Sequence, residues 1–142
     1  MQLITVIMPY YKKIDYVRHA INSVLNQTYQ NYELLIIYDD IDQRDLDRLR
    51  NIINDNKKIK IIKNYKNLGA GYSRNIGIKN SNGTIISFID ADDEWHPKKI
   101  ENQLNFLNKH NYDFIFCAYQ KKIKNKIIKV IYRNDHIGYK NL

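Results

Sequence analysis

Residues 3–40 read LITVIMPYYKKIDYVRHAINSVLNQTYQNYELLIIYDD, and the reading of this stretch decides the fold. Leu3–Met8 is a short apolar run rich in β-branched residues and stopped by Pro9, which predicts a buried strand. Apolar residues then recur at Ile14, Val17, Ile21, Val24 and Leu25, the spacing of one helix face. Tyr32–Tyr38 is a second strand of the same kind, and it closes on Asp39-Asp40. Strand, helix and strand in this order, with both strands apolar throughout, describe a βαβ unit whose strands are parallel and covered on both faces.

The same alternation continues outward. Leu46, Leu49, Ile52 and Ile53 form a second helical stripe, entered through the acidic stretch Asp39–Asp47, whose carboxylates complement a helix dipole. Ile59–Ile62 is a third strand. A turn-rich loop over Asn64–Gly71 leads to a helix through Ser73–Lys79 that ends near Asn82-Gly83. Thr84–Ile89 is a fourth strand, and Pro97 opens a helix with Ile100, Leu104 and Leu107 on its buried face. Phe114–Tyr119 reads as a fifth strand holding a packed Cys117. The segment from Lys121 to Tyr132 alternates around Lys124-Asn125 as a hairpin. The expectation is a single α/β domain over residues 1–142, with a mainly parallel sheet and helices on both faces.

Composition bounds the function. The chain has 142 residues and 44% hydrophobic content, suited to one domain with its own core. One cysteine excludes a disulfide scaffold and a cysteine-based zinc site. The four histidines, at 19, 96, 110 and 136, lie on a helix, beside Trp95 and in loops, and do not gather into a metal site. No apolar run approaches the ~18 residues of a membrane span, and Leu3–Met8 is too short for a signal peptide, so a cytoplasmic location is expected by default. The net charge of +8 suits polyanionic partners. However, Ile, Asn and Lys number 24, 18 and 17; all three are favoured by AT-rich codons, which accounts for much of the lysine without a selected basic surface.

In parallel sheets of this type, ligands bind beyond the carboxyl ends of the strands, where the strand order reverses. The unusual residues fall at three such ends: Pro9-Tyr10-Tyr11, Asp39-Asp40 and Asp90-Ala91-Asp92-Asp93. Asp90 and Asp92, two apart in extended backbone, face the same way. Carboxylates gathered at a loop raise one another's pKa unless a cation lies between them, and Mg²⁺ or Mn²⁺ prefers one or two carboxylates plus substrate phosphate oxygens. The plainer reading is a solvated acidic turn that caps the next helix, and Asp39-Asp40 has the same one. Tyr11 could stack a base, though an aromatic near a strand end more often only packs. The segment from Asn67 to Gly77 offers a helix start that can accept an anion, with Arg74 one turn in to fork onto phosphate or base.

In this order and at these strand ends, the chain resembles the glycosyltransferase family 2 enzymes, whose donor half has the Rossmann-like GT-A fold. The resemblance covers about Ile4 to Leu107, leaving residues 113–142 outside it. It is carried by ITVIMPYYK, AINSVLNQTYQNYELLIIYDD, NLGAGYSRNIGI and GTIISFIDADDEWHP. It implies that Pro9 and Tyr11 lie against the nucleotide base, and that Asp39 and Asp40 bind base and ribose. Arg74 matches an arginine that contacts the nucleotide. Asp90-Ala91-Asp92 matches the DxD motif, with Asp92 and then Asp90 as metal ligands for Mn²⁺ or Mg²⁺. The implied reaction is inverting transfer of a sugar from a nucleotide donor, a UDP-sugar first, to a glycan or lipid-linked acceptor.

Departures are equally legible. Ile41-Asp42-Gln43 stands where the family usually has Gly-Ser, which stiffens that loop, and Lys12 stands where an asparagine is common. An inverting transfer needs a general base, and beyond Glu101 only Asp113 and Asp135 are acidic; neither matches the family's motif. The chain is therefore expected to end before the acceptor half and to bind donor with little or no transfer by itself. A non-catalytic nucleotide-binding module remains the alternative. A nucleic-acid binder is disfavoured because the densest basic run, Lys121–Lys129, lies away from the motif loops. That run suits peripheral contact with a membrane carrying the acceptor. A nucleotidyltransferase would want a glycine-rich basic loop after the first strand, and Pro9–Lys13 has none.

Overall fold

A computed structural model of the chain describes residues 2–123 and 126–131. The chain forms two compact units, residues 1–102 and 103–142. In the first unit β1 (Ile4–Tyr10), α1 (Ile14–Leu25), β2 (Tyr32–Tyr38), α2 (Gln43–Ile53), β3 (Ile59–Lys63), α3 (Ala70–Lys79) and β4 (Ile85–Phe88) follow in order. The sheet runs β3-β2-β1-β4, and every pairing in it is parallel. Strand order reverses at β1, which has β2 on one side and β4, reached last, on the other.

The central strands are apolar throughout because both faces are covered. Ile7, Leu35 and Ile37 form one core layer with Ile62, Ile76 and Ile86; Ile76 comes from α3. Val6, Met8, Leu34 and Ile36, of opposite parity, are also buried, and α1 and α2 touch each other. α3 lies close to β1. A Cβ on Gly77 would stand 2.4 Å from Ile7 Cγ2, so only glycine lets that helix approach the sheet without a shift.

Pro9 does not end β1; the strand runs through it to Tyr10. The Ile7 carbonyl accepts from Ile89 N–H on the β4 side, and Pro9, of the same parity, faces that side too. The next bond of a parallel ladder would run from the N–H of residue 9 to the Ile89 carbonyl; proline has none to give, and the β1–β4 register stops at Ile7 and Phe88 while β1 continues beside β2. α3 begins at Ala70, three residues before the predicted Ser73. β4 is limited to Ile85–Phe88, although Thr84 and Ile89 still donate to Leu3 and Ile7.

α4 (Lys99–His110) begins two residues after Pro97, and its residues fall in both units. In the second unit β5 (Tyr119–Ile123) and β6 (Lys126–Ile131) pair antiparallel, as the hairpin reading expects; its centre, Lys124-Asn125, lies outside the described residues. The predicted strand Phe114–Tyr119 is not formed before Tyr119. Tyr119 pairs with Ile131, the last described residue of β6, so residues 114–118 have no partner in that ladder. Phe114 is 76% exposed, and Cys117 is exposed instead of packed. His110 is the last residue of α4, 4.4 Å from Phe106 and stacked on Tyr112. Asp135, His136 and Tyr132 lie outside the described residues. No helix among the described residues is long and apolar enough to cross a membrane.

Candidate functional site

The carboxyl ends of β1, β2 and β4 bring chemistry together around β1. Asp39 N–H donates to the Tyr10 carbonyl at 2.8 Å, so the aspartate pair starts where β2 leaves its ladder with β1. Neighbouring side chains at a strand end face opposite ways, and the two aspartates have different surroundings. Asp39 Oδ1 accepts from Asn64 Nδ2 and Leu68 N–H at 2.8 Å each, and Oδ2 from Gly69 N–H at 2.7 Å. Asn67 Nδ2 donates to the Asp39 carbonyl at 3.3 Å. The residue is a brace for the loop that leads into α3.

Asp39 thus places a carboxylate on the Leu68 and Gly69 N–H groups just before α3, where the helix dipole favours negative charge. Gly69 makes the turn with φ +85°, a left-handed conformation that suits glycine.

Asp40 is as buried as Asp39, yet it is not saturated. Its Oδ1 accepts from Ile41 N–H at 2.7 Å and Asp42 N–H at 3.3 Å. Its Oδ2 is buried and has no hydrogen-bond partner among the described residues. An unsatisfied buried carboxylate oxygen is costly, and a ligand N–H or O–H would relieve it. The Ile41-Asp42-Gln43 loop that replaces Gly-Ser is stiffened from several directions. Tyr38 Oη donates to the Asp42 carbonyl, and Tyr10 Oη to Asp45 Oδ2 at 2.9 Å. The two rings stack at 5.1 Å. Burial, followed by the charges of Asp40, Asp45 and Asp42, pushes the Tyr38 phenol up to about 12, so both rings stay neutral donors. Asp42 caps α2 by accepting from Arg44 N–H at 2.9 Å.

The loop after β1 carries three side chains toward this edge. Tyr11 is 45% exposed, so its ring has a face open to solvent. Lys12 adopts φ 49° and places Nζ 5.2 Å from the Tyr11 ring centroid. The Tyr11 hydroxyl and then its charge, with that of Asp40, push the Lys12 ammonium up. Lys13 Nζ lies 2.8 Å from Asp92 Oδ2. From α3, Arg74 Nη2 donates to Asp90 Oδ1 at 2.5 Å. The β1 loop and α3 thus both reach the acidic turn after β4, where Ala91 is buried and Asp90 and Asp92 are exposed. Asp93 is raised by partial burial and then by the charges of Asp90 and Asp92.

These residues fit a hard divalent cation. Two reachable carboxylates stand on one turn, and each holds a protein cation that an ion could replace. No group of three or more His, Cys, Asp or Glu is gathered for a metal among the described residues, and Mg²⁺ or Mn²⁺ needs only one or two carboxylates when substrate oxygens complete the shell. His96 is engaged elsewhere: its Nδ1 accepts from Lys98 N–H at 3.2 Å and its carbonyl from Gln27 Nε2 at 2.8 Å. A separate open depression of about 220 Å³ on α3, lined by Tyr72, Asn75, Ile76, Ile78 and Lys79, contains none of the carboxylates.

Sequence reasoning missed two parts of this site. Lys13 as the partner of Asp92 becomes evident only once β1 and β4 are neighbours, and Asn64 as the clamp on Asp39 only once β2 and β3 are. The basic residue two positions after Tyr11 was the available signal for the first.

Known proteins share this sequence pattern and this fold. The family model described as glycosyl transferase family 2 matches residues 5–139. An uncharacterized glycosyltransferase of Rickettsia felis is 41% identical over 95% of this chain and 22% of its own length. The Escherichia coli UDP-Glc:alpha-D-GlcNAc-diphosphoundecaprenol beta-1,3-glucosyltransferase WfgD is 34% identical over 99% of this chain and 54% of its own. Residues 1–349 of S. aureus TarS, crystallised with UDP-GlcNAc, superpose with a TM-score of 0.71 at 21% identity, over 91% of this chain and 37% of that one. The chain therefore spans at most about half the length of these relatives. With the parallel sheet, the reversal at β1 and the model match over most of its residues, this chain belongs to glycosyl transferase family 2.

Proposed function

We propose that this chain supplies the nucleotide-sugar and metal site of an inverting glycosyltransferase, with a UDP-sugar as donor and a glycan or lipid-linked acceptor. The observation that carries the reading is the buried, unpartnered Asp40 Oδ2 after β2, with an exposed Tyr11 after the neighbouring strand β1. An aromatic face and a lone acceptor suit a nucleobase, which stacks and offers an N–H. Support for uridine comes from the name of the E. coli relative and from the UDP-GlcNAc bound to S. aureus TarS.

Asp92 and Asp90 would hold Mn²⁺ or Mg²⁺, which, when bound, offsets charge on the departing nucleoside diphosphate. Arg74, already oriented toward Asp90, would fork onto a phosphate oxygen. Asp39 would act through the loop it braces and leave ligand contact to Asp40. Pro9 and Ala91 shape the floor at the ends of β1 and β4. Peripheral contact of the Lys121–Lys129 run with an acceptor-bearing membrane belongs to the same reading.

The second reading is a nucleotide-binding module without transfer. It differs from the first in asking only for the aromatic and the lone acceptor, with no metal. Calorimetric titration with a panel of nucleoside diphosphates, with and without Mn²⁺, separates the two. The transferase reading expects one nucleotide to bind with Mn²⁺ and to be lost on chelation or in Asp92→Ala. Metal-indifferent binding would favour the module, and no binding by any nucleotide would dismiss both.

A further inference from the structure

The Lys13–Asp92 contact has no part in the fold's core. Both side chains are about two-fifths exposed, the range in which an ion pair contributes little to stability and exchanges readily. Lys13 is the residue before α1, but its side chain makes no capping hydrogen bond. Its ammonium faces Asp92 at 2.8 Å and the Tyr16 ring at 5.8 Å. Across the same turn Arg74 neutralises Asp90. In the ligand-free chain each carboxylate of the pair therefore carries its own protein counter-ion, and a divalent cation arriving alone must compete with Lys13 for Asp92.

Resting on the donor-site reading above, we infer that Lys13 is an exchangeable counter-ion: it holds Asp92 while the site is empty and turns to the donor diphosphate when the metal takes that carboxylate. The charge arithmetic favours the exchange. A divalent ion brings two positive charges to Asp92, so the ammonium is repelled from its old place. The diphosphate that arrives with the ion offers the nearest new anionic oxygens, and an ammonium is a compact donor to phosphate. The lysine thereby disfavours metal without nucleotide and favours the two together. Lys13 is a direct ligand contact in this scheme, and its effect on the two ligands has opposite signs.

That sign reversal is the test. Mn²⁺ binding is followed by electron paramagnetic resonance without nucleotide, and UDP binding by calorimetry at saturating Mn²⁺, in the wild-type chain, Lys13→Met and Lys57→Met. Lys57 is exposed just before β3, at the opposite edge of the sheet, and controls for net charge alone. Lys13→Met should bind Mn²⁺ alone about two- to fivefold more tightly and UDP with Mn²⁺ about tenfold more weakly, with Lys57→Met like wild type in both. Lys13→Met unchanged for free Mn²⁺, or shifted no more than Lys57→Met, overturns the inference even where UDP binds as proposed. Failure of wild type to bind any nucleotide removes the donor-site reading, while the Mn²⁺ titration still decides whether Lys13 guards Asp92.

Discussion

Asp39 and Asp40 are adjacent, identical and equally buried, yet the chain uses them differently. Asp39 accepts three hydrogen bonds through its carboxylate, and Asp40 keeps one oxygen without a partner. Asp39→Ala would orphan the donors of Asn64, Leu68 and Gly69 and should cost about 2–4 kcal/mol of stability, measured by urea unfolding. Asp40→Asn keeps an oxygen for Ile41 and Asp42 N–H, so its stability should stay within about 1 kcal/mol of wild type while UDP affinity falls at least about tenfold. Equal loss of stability in both variants would contradict this division. In sequence the two residues read alike, because spacing marks a strand end but not which side chain turns inward. Pro9 was misread for a related reason: a proline signals the loss of one donor, and only the finished register shows that the loss ends the ladder with β4 and spares the one with β2.

At the level of elements, close approach decides the sign of one substitution. Alanine favours a helix over glycine by about 1 kcal/mol, so Gly77→Ala would stabilise α3 in isolation. Against Ile7 at 2.4 Å the overlap wins, and a net loss of about 1–3 kcal/mol is expected. Combining it with Ile7→Ala should cost less than the sum of the two single changes, as double-mutant urea curves would reveal. A second link joins β1, β2 and the turn before β4. Glu33 accepts from Thr5 Oγ1 at 2.6 Å and from Asn82 N and Nδ2 at 2.7 and 2.9 Å. Burial alone would raise this carboxyl, but the Thr5 and Asn82 donors and the Lys60 charge hold it below its ordinary value of 4.5. A depressed carboxyl stabilises the fold above its unfolded pKa, and the gain fades as pH falls through the lower folded value. Glu33→Gln should therefore flatten the loss of stability below about pH 4.5, and an acid limb as steep as wild type would count against the link. The strands and helices of the first unit were legible because continuous apolar runs alternate with apolar stripes of period 3.6. Phe114–Tyr119 was not, since an apolar run states a capacity to pair and cannot say whether a ladder reaches it.

For the whole chain, the excess of +8 is spread along the sequence, while the acidic groups that matter gather at one edge of the sheet. Family membership was legible because its four motif blocks fall at strand ends and helix starts that a parallel sheet must bring near β1. What remained hidden was the traffic among them: the bond from Asp39 to the α3 loop, and the ion pairs of Lys13 and Arg74 with the acidic turn. The central claim is that this edge receives a nucleotide and a divalent ion together. The most direct check is a ¹H–¹⁵N correlation spectrum of the full chain titrated with UDP and Mg²⁺. Shifts should concentrate at Tyr11–Lys13, Asp40-Ile41, Arg74 and Asp90–Asp92, while Glu33, Lys57 and Asn82 at the amino ends of the strands stay fixed. Shifts confined to those amino ends, or none at saturating UDP and Mg²⁺, would contradict the account.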